Sequence, residues 1–578
     1  MKQTDIDHLR HSCAHLLAAA VLELFPKAKN AIGPAIENGF YQDFDFGDTK
    51  ISEDDLPEIE GKMHQLLKNW DTFEINEVPV NQAKKDFAKN PYKLELVNEF
   101  AKEGIKITET QQGKFLDLCK GGHVGSPKEE VKHFKLLSVA GAYWRGNEKN
   151  KMLTRIYGTC FPSQKELDQY LENLEQAKLR DHRRLGKELD LFVFSDLVGS
   201  GLPMFTPRGT ILRNELLNFS EQLQLESGYE KVFIPHITKT ELYKKSGHWD
   251  KFGSELFLVK SQETDEQFVL KPMNCPHHTQ IYASRKRSYK ELPIRYMETT
   301  VQYRDEKPGE LLGLSRVRAI TIDDSHVFCT PEQIEGEFSI IINMLRKLYS
   351  SLNMTFRARL SFRDDSNKFL GDKKHWEDAQ KTLEKVAKNQ NLDYVIVEGE
   401  AAFYGPKIDI LVMDSLGRQW QCATEQLDFV QPARFGLTYT DADGIEKTPF
   451  MVHKALLGSI ERFLSVYIEH TAGNFPLWLA PTQVSIIPIS EKHNSYAQKV
   501  EKQLKANQVR ALVDLRNEKM QSKIRDAQRY KVPLMIILGD KEVQSETVTV
   551  RTRSGENKFN LKFEKFLKDL TQKITTKA

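Results

Sequence analysis

The stretch QYRDEKPGELLGLSRVRAITIDDSHVF, residues 302–328, decides how the chain is read. Charged residues gather on both sides of a loop rich in Gly and Pro. Arg304 and Glu306 close one apparent strand, and Arg316, Arg318, Asp323, Asp324 and His326 fall on the strand after the loop. Two antiparallel strands would bring guanidinium groups and carboxylates to a common face. Arginine forks suit bidentate phosphate contacts, so an ATP site is one reading. A surface salt-bridge ladder is the other, and on this stretch alone it is the stronger.

Working outward, the block from Phe192 to about Leu479 holds three further unusual segments. LKPMNCPHH places Cys275 between prolines, in what reads as a rigid turn. AAFYGPKIDI and GRQWQCATEQLDF follow. VHKALLGSIERFL then has Gly458 and Ser459 opening a helix that carries Arg462. Small residues often let a helix pack closely on a sheet, so Gly458 alone says little about function.

On the N-terminal side, residues 1–162 mix a helical run with strand-like pieces, GFYQDFDF and FEINEVPV, and read as α+β. Residues 163–190 predict one long linking helix, with Ser163 and Glu166 as its capping box. The catalytic-looking block would then span 191–480. From 481 to 578 strand-like runs (VSIIP, VRALVDL, VPLMIILGD, VTVRT) alternate with helical ones, which predicts a small α/β domain with a disordered KITTKA tail.

Length and composition bound these readings. At 578 residues the chain needs three or four cores of ~100–200 residues each. A hydrophobic fraction of 40% with 28% charged residues excludes wholesale disorder. No run approaches the ~18 apolar residues of a membrane span, and MKQTDIDHLRHSC lacks the apolar region of a secretory signal. Six cysteines without CxxC pairs suit a reducing, cytoplasmic compartment. Residues 481–578 hold 20 Lys and Arg against 11 Asp and Glu, a net of +9 in a chain of net +2, leaving −7 on residues 1–480. A basic terminal domain on an acidic body suggests a nucleic-acid-facing module, with a solvated lysine-rich surface as the equal alternative.

A second cluster lies near the N-terminus. His11 and His15, four apart in HLRHSCAHLLAAAVLEL, project from one helix face, and Cys119 and His123 flank the turn in DLCKGGHVG. HxxxH with CxxxH has the composition of a zinc ligand set. Either pair alone would read as ordinary surface residues; both pairs in one domain would not.

Taken together, these motifs make the sequence recognisable. YRDE resembles the second signature motif of class II aminoacyl-tRNA synthetases, and GSIERF the third. KPMNCP, RVR with DDSHVFCT, AFYGPKID, WQCATEQLDF and HKALLGS resemble the threonyl-tRNA synthetase family specifically. The N-terminal HxxxH and CxxxH are similar to that family's editing domain, and DLRNEK, GDKEV and VRTR to its anticodon-binding domain. The resemblance runs nearly end to end.

It implies an α+β multidomain chain: a class II antiparallel sheet flanked by helices, an α+β editing domain, and an α/β anticodon-binding domain. It further implies a cytoplasmic homodimer whose partners are tRNA(Thr), ATP with Mg2+, and L-threonine, not DNA or membrane. Cys275, His326 and His453 fall on the family's three ligand positions for one Zn2+ per subunit, which spacing alone would not nominate. In that family the metal binds both the amino group and the hydroxyl of threonine, so isosteric valine is refused. Serine keeps the hydroxyl and lacks one methyl, worth only ~1–3 kcal/mol, so a second, hydrolytic site is needed.

By the same resemblance, Arg304, Glu306, Arg316 and Arg462 are catalytic: Arg304 at the ATP α-phosphate, Arg316 at the terminal phosphates, Arg462 at the nucleotide. Asp324 meets the substrate ammonium, with Tyr404, Gln421 and Gln426 lining the pocket. His11, His15, Lys93, Asp117, Cys119 and His123 form an editing pocket that positions water without a metal, which overrides the zinc reading of those ligand types. Glu542 and Arg551 read the anticodon. Four departures accompany the match: no N-terminal ubiquitin-like domain is expected, Gly122 stands where the family commonly has proline, Ile320 where a phenylalanine stacks on adenine, and Ile322 where a glutamine is usual. A non-catalytic RNA-binding paralogue and a free-standing zinc hydrolase acting on mischarged tRNA are the competing classes. The retained motif arginines oppose the first, and residues 190–480 would serve no purpose in the second.

Overall fold

Residues 302–328 do form the expected antiparallel pair. Strand Ile294–Tyr303 runs against Ala319–Cys329 in continuous register, from Ile294 opposite Phe328 to Tyr303 opposite Ala319. In the computed structural model, which describes residues 3–577, this pair belongs to an eight-stranded sheet. The strand order is Glu230–Lys231, Ile294–Tyr303, Ala319–Cys329, Phe450–Ser459, Gln419–Asp428, Lys407–Met413, Thr355–Phe362, Tyr394–Glu398. Only the outermost pairings are parallel. Helices Pro207–Glu226, Ile334–Ser351 and Ile460–Thr471 bury apolar stripes with the strands in one core that includes Leu212, Leu345, Phe338, Ile410, Leu456 and Phe463. The period-2 alternation of a strand puts the other row of side chains on the opposite face.

The chain divides into two units, Met1–Glu175 and Gln176–Ala578. In the first, helix Gln3–Leu24 packs with helix Leu56–Leu67 and a sheet whose main strands are Gly39–Asp45, Met152–Phe161 and His133–Tyr143. Strands Glu74–Glu77, Thr108–Gln112 and Phe115–Leu118 make a smaller antiparallel sheet. In the second unit, residues 481–577 add a five-stranded mixed sheet in the order Ala511–Val513, Val484–Pro488, Leu534–Leu538, Thr547–Thr552, Asn557–Lys562. All six cysteines are free and buried. No helix among the described residues is long and apolar enough to cross a membrane.

Four local expectations change. The linking helix is two helices, Gln164–Arg180 and His182–Glu188, because the Asp181 carboxylate accepts from Arg183 N and caps a new start. Ser163 does cap the first, accepting from Glu166 N at 3.3 Å. Arg304 and Glu306, like Arg316 and Arg318, lie in the loop and not on the strands, which end at Tyr303 and resume at Ala319. Cys275 opens a helix, Cys275–Ala283, with Pro276 in its first turn, where a missing N–H costs nothing. The tail is ordered to Thr576 in helix Phe563–Thr576, held by buried Phe563 and Leu570. Lys577 Nζ lies 4.2 Å from the Phe219 ring centroid. Ala578 lies outside the described residues.

Candidate active site

Antiparallel register assembles the first cluster. His326 sits directly opposite His453, and His453 directly opposite Gln426, on three adjacent strands of the eight-stranded sheet. The start of helix Cys275–Ala283 brings Cys275 to the two imidazoles, with one ligand atom of each of the three residues within 4.8 Å of the others. His326 Nε2 and His453 Nδ1 face one another at 3.0 Å. Each ring's second nitrogen is already engaged: His453 Nε2 with Asp428 Oδ2 at 2.9 Å, and His326 Nδ1 with His278 Nδ1 at 2.8 Å. A thiol and two imidazoles, oriented through their outer nitrogens and buried, fit a zinc ion held by three protein ligands with a position left open.

The same row of side chains continues from His326 along its strand. Asp324 Oδ2 accepts from Asn274 Nδ2 at 2.9 Å and from Gln302 Nε2 at 3.2 Å, and burial pushes its carboxyl up. Ile322 and Ile320 are next in the row, both half-buried. Tyr404 stacks on His453, ring centroids 4.9 Å apart, and donates its hydroxyl to Gln426 Oε1. From Gln426 a chain runs through Thr424 to the fully buried carboxylate of Asp409, which also takes Gln421 Nε2 at 2.8 Å, Lys407 and Arg359. Gln421 therefore joins the pocket through Asp409; a bulge between Ile410 and Leu411 shifts its register.

At the other end, Arg316 pairs with Glu306 and Glu310 at 2.6–2.8 Å. Arg318 donates to the Glu306 carbonyl. Arg304 lies beside them; burial lowers its basicity, and its Nε has no hydrogen-bond partner among the described residues. A buried cationic donor without an acceptor is matched by an anion such as a phosphate oxygen. Arg462 is exposed in the first turn of helix Ile460–Thr471, which Ser459 caps by accepting from Arg462 N at 3.2 Å. Gly458, just before it, holds φ +66°, and a Cβ there would fall 2.1 Å from the Cys422 carbonyl oxygen.

The N-terminal unit contains its own cluster. His11 and His15 come from one face of helix Gln3–Leu24, and Cys119 and His123 from the turn after strand Phe115–Leu118. The ring nitrogens of His15 and His11 are 3.1 Å apart, and Cys119 Sγ lies 3.5 Å from His11 Nε2 and 3.4 Å from His123 Nε2. Asp117 is the hub of the floor, 2.5 Å from Lys93 Nζ and 3.2 Å from His15 Nδ1, all three buried. Burial would raise the Asp117 carboxyl, but Lys93 and His15 bring it to about 2. Burial likewise opposes charge on His15, yet Asp117 and Cys119 lift it to about 9. Burial would raise Cys119 too; hydrogen bonds from His11, His123 and His15 take it down to about 3. His11, His15, Lys93, Asp117 and Cys119 border a cavity of about 640 Å³. It combines a thiolate, imidazoles and an ion-paired lysine, a setting able to orient water at an ester carbonyl.

In the C-terminal sheet, Glu542 accepts from Gly539 N at 2.9 Å and from Thr549 Oγ1 at 2.8 Å, and Arg551 stands two residues along the same strand as Thr549. Arg551 Nη1 donates to Asn557 Oδ1 at 3.2 Å. The sequence reading did not single out His278, Asp428, Asn274, Gln302 or His248, whose Nε2 is 3.9 Å from Cys275 Sγ. Asp428 was within reach, since it lies two residues from Gln426 and so on the same strand face.

The family model of the class II tRNA synthetase core domain (G, H, P, S and T) matches residues 257–471, that of the anticodon binding domain residues 483–573, and that of the threonyl and alanyl tRNA synthetase second additional domain residues 109–157. The chain is 46% identical over 570 residues to a threonine–tRNA ligase of Thermotoga petrophila, covering 98% of this chain and 88% of that one. It is 48% identical over 555 residues to the threonine–tRNA ligase of Flavobacterium johnsoniae, covering 95% and 85%. Among solved structures, the RNA binding domain of threonyl-tRNA synthetase from Cryptosporidium parvum superposes with a TM-score of 0.65 at 36% identity, over 68% of this chain and 98% of that one. With this likeness over nearly its whole length and a class II core at its centre, the chain belongs to the threonine–tRNA ligase family.

Proposed function

We propose that the chain activates L-threonine with ATP and transfers it to tRNA(Thr), and that its N-terminal unit hydrolyses Ser-tRNA(Thr). The observation that carries this is the convergence of Cys275, His326 and His453 beside Asp324 on the class II sheet. In this reading Asp324 holds the substrate ammonium, and Tyr404 and Gln426 wall the side chain, with Gln421 behind them. Cys275, His326 and His453 would hold a Zn2+ ion, which would supply a Lewis acid for amine and hydroxyl groups of the substrate. Arg304 stabilises the charge that develops as the threonine carboxylate attacks the α-phosphorus of Mg-ATP and pyrophosphate leaves. Arg316, aligned by Glu306, takes the terminal phosphates, and Arg462 the nucleotide. A tRNA hydroxyl then attacks the adenylate carbonyl and AMP departs.

His11, His15, Lys93, Asp117, Cys119 and His123 orient water for deacylation without a metal. Glu542 and Arg551 read the anticodon from the basic segment. We assign editing to residues 1–162, the link to 163–190, catalysis to 191–480 and anticodon binding to 481–578, in a cytoplasmic homodimer. Threonine-dependent exchange of pyrophosphate into ATP tests the central claim. Exchange with threonine, little with serine and none with valine is expected; no exchange with threonine would reject it.

A further inference from the structure

The helix that supplies His11 and His15 carries a third histidine on the same face. His8 precedes His11 by three residues and His15 by seven, the spacing that keeps side chains in one stripe. The three grade from exposed at His8 to buried at His15, so the stripe runs from the mouth of the pocket to its floor. His8 borders the same cavity as His11, His15, Lys93 and Cys119.

A solvent-facing histidine on a helix ordinarily needs no explanation. Here the opposite wall supplies one. Gly122 holds φ +84°, and a Cβ on it would lie 3.3 Å from His8 Cδ2 and 3.4 Å from His8 Nε2. A proline, whose ring fixes φ near −65°, cannot adopt that backbone. The distance between the two walls is set by one hydroxyl. Ser12 Oγ donates to the His8 carbonyl at 2.8 Å and accepts from Val124 N at 3.1 Å, tying the first turns of the helix to the glycine turn. Imidazole and glycine are thus held against each other at the pocket entrance.

We infer that His8 is a further substrate-contacting residue of the hydrolytic pocket, binding the terminal ribose of the aminoacyl ester, and that Gly122 is bare to admit it. The inference rests on the editing function proposed above. The floor is closed by Lys93, Asp117 and His15, so the aminoacyl group enters first and the nucleic acid remains at the mouth. Seven residues of helix separate His15 from His8 by about 10 Å, enough for an aminoacyl group followed by a ribose. The terminal ribose carries one esterified and one free hydroxyl, and a neutral imidazole offers one donor and one acceptor.

The test is hydrolysis of preformed Ser-tRNA by the unaltered chain and five variants, with helical content checked by circular dichroism. His8→Ala should lower kcat/KM about tenfold, mainly through KM, the size expected for one hydrogen bond. His8→Gln, which keeps a donor and an acceptor, should restore most of it, which a purely structural side chain would not require. Gly122→Ala should resemble His8→Ala, and in the His8→Ala background it should cost little more, since the imidazole it displaces is gone. The double variant His11→Ala, His15→Ala is the control for the pocket itself. If it is inactive while His8→Ala matches wild type, the inference falls and the editing function stands. If both match wild type, or wild type does not hydrolyse Ser-tRNA, the editing function falls as well.

Discussion

His326 Nε2 stands 3.0 Å from His453 Nδ1 across neighbouring antiparallel strands, while the far nitrogens of both rings are engaged by His278 and Asp428. The two inner nitrogens are therefore aimed by side chains outside the set of Cys275, His326 and His453. Asp428→Ala should lower zinc affinity about 10–100-fold and weaken threonine activation in proportion, with the chain still folded. Metal titration with a chelator and pyrophosphate exchange check this together. Full zinc affinity in the variant would show that Asp428 does not orient His453.

Arg304 presents a buried, unpaired Nε beside the Glu306–Arg316 pair. Arg304→Ala should depress the rate of threonyl-adenylate formation by at least about a hundredfold, with a smaller effect on threonine KM, because its charge matters most in the transition state. Rapid-quench measurement of adenylate separates the two. A raised ATP KM at unchanged turnover would contradict the role.

Cys119 offers a test by pH. Burial alone would favour the thiol, but the surrounding imidazoles bring its pKa to about 3, so the thiolate persists until pH falls through that value. Iodoacetamide should alkylate Cys119 nearly as fast at pH 5 as at pH 8, whereas an ordinary thiol would slow by about three orders of magnitude. Burial raises the thiols of Cys13, Cys275, Cys329 and Cys422, so labelling at pH 5 should be selective. Peptide mapping reads the site, and His15→Ala should move the profile upward.

Arg551→Ala should reduce charging of tRNA(Thr) about tenfold or more while threonine activation is unchanged, since activation needs only the sheet of the core. Binding of tRNA by the wild-type chain should weaken steeply with salt as counterions are released, and the variant should show a shallower slope. An unaltered slope and charging rate would remove Arg551 from the interface.

Gly458 joins strand Phe450–Ser459 to the helix bearing Arg462 in a left-handed conformation, with the Cys422 carbonyl against its face. Gly458→Ala should destabilise the core by about 2–4 kcal/mol, combining backbone strain with a steric clash. Urea unfolding measures it.

How much of this was legible in the sequence varies by residue. The pair 294–303 and 319–329 could be read because charge and a Gly/Pro loop mark it. The cluster of Cys275, His326 and His453 could not be read from spacing, since sheet register pairs the two histidines and a helix start adds the cysteine, and the family resemblance was needed to nominate them. The break at Asp181 was missed because a cap inside a continuous polar stretch looks like helix interior. The tail was taken for disorder because Lys and Thr dominate its end, although two buried side chains are enough to hold the helix. His8 was overlooked because its meaning depends on Gly122, more than a hundred residues away.

One strand shows what this architecture demands of inheritance. On Ala319–Cys329, Asp324 and His326 look toward Asn274 and His453, whereas Asp323 looks the other way, accepting from Ser220 and from the backbone of Leu457 and Gly458. Neighbouring codons therefore answer to different selective tests, one for chemistry and the next for folding. Substitutions scored along the strand should alternate residue by residue between lost turnover and lost protein. A single-codon deletion within it would exchange the two sets of side chains, and no compensating change elsewhere in the gene could restore both faces at once.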